Sequence, residues 1–127
     1  MATAGKDEGT MRSTIAALVL AIAGCGGVSS PQSVVEFGRR YPIKSAKPPA
    51  EVASCIIRNA ELTADYYHGI QRRSAQMGTL EVEIRLPKAP VAVARLSAEK
   101  PSGTTGALWI YQTLGVETLK IILMDGC

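Results

Sequence analysis

The sequence predicts an α+β protein in which one helix packs on a small antiparallel meander of three or four strands. Three observations carry this. Thr79-Leu80-Glu81-Val82-Glu83-Ile84-Arg85-Leu86 alternates strictly between apolar and polar residues, as a strand does with one face on a core and one in water. Val52, Cys55, Ile56, Asn59-Ala60 and Leu62 recur at helical spacing, which gives one buried helix face. Gly78, Pro87, Pro90, Pro101 and Gly103 then punctuate the later segments as turns would.

Each element has its own signal. Pro48-Pro49-Ala50-Glu51 starts a helix well, because proline suits the first turn and Glu51 complements its positive end. Residues 65–72 make an irregular first strand before Gly78. Pro87-Lys88-Ala89-Pro90 turns the alternating strand into Val91–Leu96, a second strand of a hairpin. The glycine-rich stretch 101–106 reads as a loop, and Ala107-Leu108-Trp109-Ile110-Tyr111-Gln112 as a third good strand, aromatic and β-branched. From Val116 to Met124 a short helix after Gly115 is favoured, although Ile121–Met124 would also suit a buried strand. No internal repeat is present.

Composition bounds the partners. The net charge is +3 on 127 residues, with Arg and Lys scattered among Glu and Asp. A nucleic-acid footprint gathers its basic residues on one face, so none is expected here.

The N-terminus carries the most specific signal. Arg12 precedes the apolar run Ser13–Ala23, which ends in Ile22-Ala23-Gly24-Cys25. The run is shorter than the roughly 20 residues a spanning helix needs. It resembles the signal peptide of bacterial lipoproteins, with an aliphatic residue and two small ones before a cysteine. The resemblance covers residues 11–25. It implies that the thiol of Cys25 accepts a diacylglyceryl group and becomes the first residue of the mature chain, carrying palmitate-type acyl chains in a bilayer outside the cytoplasm. It implies the outer membrane, facing the periplasm, in a Gram-negative host, since Gly26 is not the inner-membrane-retaining aspartate. Residues 1–24 are then signal peptide, with Met11 as an alternative start because Lys6, Asp7 and Glu8 mix charges ahead of it. Residues 25–48 are the lipidated cysteine and a Gly-, Ser- and Pro-containing flexible tether, and residues 49–127 the folded domain.

Two further cysteines remain, Cys55 and Cys127. Outside the cytoplasm two thiols in a small domain usually pair, so export implies a Cys55–Cys127 disulfide. Free buried thiols, a metal site or a redox pair are the alternatives. Their separation excludes a CxxC motif, and with a single histidine a zinc set would be incomplete.

Chemistry is sparse elsewhere. His68 is the only histidine, so any triad would need it as base, yet no Gly-x-Ser-x-Gly elbow accompanies it. Glu81 and Glu83 resemble an acid/base pair, but their spacing places both on the solvent face of a strand. The 101–106 loop lacks the lysine of a phosphate-binding loop. Arg72-Arg73 and Arg39-Arg40 are dibasic; Arg39, Arg40, Lys44 and Lys47 lie on the expected tether, within reach of anionic headgroups. Tyr66, Tyr67, Trp109 and Tyr111 are expected as core and cross-strand residues rather than as a ligand groove.

The expected protein is a membrane-anchored, non-enzymatic binding, adaptor or structural module. It needs no cofactor or metal. Its partners are the bilayer, through Cys25, and an envelope protein or glycan. The alternative is an enzyme, or an enzyme inhibitor, acting on envelope polymers through His68 with Glu81 or Glu83, or through the 101–106 loop.

Overall fold

The computed structural model describes residues 30–74, 78–112 and 114–127. Ile22, Ala23, Gly24 and Cys25 lie outside the described residues. In chain order the elements are α1 (Pro31–Phe37), β1 (Arg39–Ser45), α2 (Pro49–Thr63), β2 (His68–Arg73), β3 (Leu80–Arg85), β4 (Pro90–Ala98), β5 (Thr104–Ile110) and α3 (Val116–Met124). The strands form one sheet in the order β1-β5-β4-β3-β2, and every neighbouring pair is antiparallel. The α+β class holds, with five strands instead of three or four.

The extra strand comes from the expected tether. Residues 31–45 are folded, and each step has a local cause. The Ser30 side chain caps α1 by accepting from the Ser33 N–H at 3.2 Å, and Pro31 takes the first turn, where its missing N–H costs nothing. Gly38 then lets the chain turn tightly, since a Cβ there would meet the Val34 carbonyl oxygen at 2.4 Å. In β1, Tyr41 and Ile43 alternate inward against β5, opposite Leu108 and Gly106. Pro42 is tolerated because β1 is an edge strand.

One face of the sheet carries the main core. Val82 and Ile84 of β3, Leu96 of β4 and Leu108 of β5 are closed off by Val52, Ile56 and Ala60 of α2 and by Leu119 and Leu123 of α3. The helix at 116–124 is the favoured of the two expected forms; its apolar residues recur at three and four, so two of them reach the core. Leu62 departs from expectation. It is 78% exposed, beyond the last position from which α2 faces the sheet. Two glycines allow close approach: a Cβ on Gly69 would overlap the Ile57 side chain at 2.5 Å, and one on Gly106 the Arg95 carbonyl oxygen at 1.9 Å.

Cys55 and Cys127 form a disulfide across 72 residues, fastening the C-terminal end of the chain to α2. Asn59 reinforces it by donating to the carbonyls of Leu123 and Asp125, both at 2.9 Å. The Ser45 hydroxyl and Lys47 ammonium donate to the Cys127 and Gly126 carbonyls.

Two stability outcomes follow. Replacing both cysteines with serine should lower unfolding free energy by about 4 kcal/mol, the chain-entropy expectation for this loop length, as read by urea unfolding beside the oxidised parent. Gly106→Ala should destabilise by roughly 1–3 kcal/mol through forced backbone movement, whereas Gly78→Ala, where nothing lies within 4 Å of the added carbon, should show only the smaller cost of its positive φ.

Candidate functional site

The second face of the sheet is neither a simple core nor a simple solvated surface. Register places Ile70, Glu83, Val93, Trp109 and Arg40 in one row across the five strands, and Arg72, Glu81, Arg95, Ala107 and Pro42 in the next. α1 lies on β4 and β5 of this face, and its Val34 is fully buried. Glu83 is also fully buried, at 0% exposure, which corrects the expectation that the charged side of β3 stands in water. The strap α1 and flanking arginines supply the cover that strand alternation does not foretell.

An ion network occupies this face. Glu83 accepts from Arg72 Nη1 at 2.6 Å and from Arg85 Nη1 at 2.5 Å. Glu81, partly exposed, accepts from Arg95 Nε at 3.1 Å and lies 3.6 Å from Arg72 Nη1. Gln32 of α1 takes a hydrogen bond from Arg95 Nη2 at 3.2 Å, tying the strap to the network. Arg40 and Arg95 both approach the Trp109 ring, at 5.8 and 5.7 Å from its centroid, as cation–π partners. Both carboxylates of the Glu81/Glu83 pair are thus engaged by guanidinium groups.

The other flagged residues are dispersed. His68 is exposed at the start of β2, opposite Arg85. Arg39 pairs with Glu117 at 3.3 Å and Lys44 with Glu99 at 3.8 Å, so these cations belong to the folded domain and not to a tether. Thr104–Gly106, expected in a loop, are the first residues of β5, and Thr104 donates to the Lys47 carbonyl at 2.8 Å. Tyr66 and Tyr67 precede β2 and sit ring to ring at 5.0 Å; Tyr66 and Tyr111 are exposed, whereas Tyr67 packs on the core. Burial raises the pKa of the Tyr41 and Tyr67 hydroxyls. Among the described residues no group of His, Cys, Asp or Glu is arranged to hold a metal ion, and no helix is long and apolar enough to cross a membrane.

What the fold does present is a groove of about 310 Å³ between α2 and the outer edge of β2, lined by Ser54, Ile57, Arg58, Glu61, Leu62 and Gln71. The exposed Leu62 is part of its wall. Sequence reasoning placed Leu62 in the core because helical spacing alone does not say where the sheet ends.

The chain matches no protein-family model, no curated protein and no solved structure.

The ion network has a measurable signature. Glu83→Ala should cost about 2 kcal/mol, less than a fully buried pair because both guanidinium groups reach solvent. Glu81→Ala should cost under about 1 kcal/mol. Paired urea denaturation of the two variants checks the difference, and equal losses would contradict the distinct burial of the two carboxylates.

Proposed function

We propose that this protein is a lipoprotein of the bacterial cell envelope, anchored through acylated Cys25 and acting as a non-enzymatic binding module. The observation that carries the reading is the division of its three cysteines. Cys55 and Cys127 are joined to each other, a pairing suited to an oxidising compartment. Cys25 stands alone behind Ile22-Ala23-Gly24, the arrangement that lipidation uses.

The short spacing between anchor and fold bears on what the module does. Five residues, 26–30, separate Cys25 from the start of α1 at Pro31, a reach of at most about 22 Å when fully extended. An acylated Cys25 therefore keeps α1, and the sheet face beneath it, close to the bilayer. Each buried methylene contributes about 0.8 kcal/mol, so two or three acyl chains hold durably where one holds marginally. Binding, rather than catalysis, fits a domain in which Glu81 and Glu83 are engaged by arginines and the one histidine, His68, stands opposite Arg85.

Metabolic labelling with an alkyne fatty acid tests the anchor. The parent protein should label and partition with membranes, and Cys25→Ser should do neither. A soluble, unlabelled parent would overturn the reading.

A further inference from the structure

We propose that the outer edge of β2 is a docking site for an extended, acidic segment of a partner protein, which adds to the sheet as a sixth strand in the groove beside α2. This rests on the binding-module reading above and names the surface and the chemistry of its partner.

The backbone pattern identifies the open edge. The Ser74 N–H donates to the Thr79 carbonyl at 2.9 Å, so Ser74 and Thr79 form a hydrogen-bonded antiparallel pair. Such pairs alternate along a ladder. Arg72, Ile70 and His68 therefore turn their backbone groups toward Glu81, Glu83 and Arg85, while Arg73, Gln71 and Gly69 turn theirs outward. Gly69 confirms the alternation independently, since its N–H points to the Glu61 carboxylate of α2 at 3.4 Å. The outward groups of Gln71 and Arg73 make no backbone hydrogen bond among the described residues. An unpaired row of this kind is a template for strand addition.

The opposite edge of the sheet is protected. β1 carries Pro42 at its centre, which removes a donor from that row and disfavours pairing. No proline interrupts β2.

Charge and shape select the occupant. A strand beside β2 would alternate its side chains between two faces. Those opposite Gln71 and Arg73 would enter the groove beneath α2, with Ile57 and Leu62 as an apolar wall, and meet two cations, Arg58 and Arg73, against the single carboxylate of Glu61, which holds the Gly69 N–H at the far end of the strand. Arg58 and Arg73 are exposed and have no ion-pair partner among the described residues. Side chains opposite His68, Ile70 and Arg72 would meet the half-buried Ile70 on the other face. The complementary segment thus alternates carboxylates on the groove side with aliphatic residues on the other.

Fluorescence anisotropy with the full-length protein and a labelled Val-Asp-Val-Asp-Val-Asp-Val peptide tests this. The Asp peptide should bind at least about tenfold more tightly than the same peptide with Lys in place of Asp. Gln71→Pro removes an outward donor that the fold does not use, and it should weaken binding about tenfold with an unchanged circular dichroism spectrum. The double variant Arg58→Glu/Arg73→Glu should reverse the preference toward the Lys peptide, which keeps the test sound should the proline variant misfold. Equal binding of both peptides, or a preference untouched by the charge reversal, would overturn the proposal. Repeating the titration with Cys25→Ser separates it from the anchor: peptide binding should be unchanged, even if the parent proves to carry no acyl group.

Discussion

The covalent bond between α2 and the last residue of the chain constrains most of what the structure does. Cys55 lies in the buried face of α2, so joining it to Cys127 draws α3 against the same helix. Asn59, one turn further along α2, holds the carbonyls of Leu123 and Asp125, and β1 reaches the same point through Ser45. Three separate parts of the chain meet at one corner. That corner fixes α2 over β2 and β3, and α2 in turn forms one wall of the groove along the free edge. A domain of this size has little stability to spare, and a cross-link spanning 72 residues is a large part of what keeps that wall in place.

The two faces of the sheet solve different problems. The face under α2 and α3 is closed by aliphatic packing. The face under α1 is closed by a single short helix, too small to cover five strands. The remaining area is filled by side chains with long apolar stems, Arg72, Arg85 and Arg95, whose charged heads converge on Glu81 and Glu83. Trp109 takes part in the same arrangement, set between Arg40 and Arg95. Burying Glu83 is tolerated because two guanidinium groups meet it at hydrogen-bond distance. Satisfying the charges here leaves Arg58 and Arg73, beside the outer edge of β2, as cations with no ion-pair partner among the described residues.

The parts of this fold legible in sequence are those where one periodicity dominates. Leu80–Leu86 alternates without interruption, and the helix at 49–63 has a proline start and an apolar stripe, so both elements, and the side that each turns to the main core, were evident from residue pattern. The disulfide followed from the resemblance at residues 11–25 combined with the count of cysteines. Residues 31–45 were obscured by composition: Ser30-Pro31 resembles linker sequence, although it is equally a helix start, and Tyr41-Pro42-Ile43 hides a strand behind a residue that only an edge can accept. The burial of Glu83 was not legible locally, because it depends on α1 arriving from another part of the chain. The groove was invisible for a similar reason, since Leu62 continues the helical stripe past the point where the sheet beneath it stops.

Intact-mass analysis of the protein isolated from membranes of the cells that make it, alkylated without prior reduction, tests the central claim most directly. The account predicts one species that begins at Cys25, carries acyl mass on that residue, and takes up no alkylating reagent at Cys55 or Cys127. A full-length species with an unmodified Cys25, alkylated at both of the other cysteines, would contradict it.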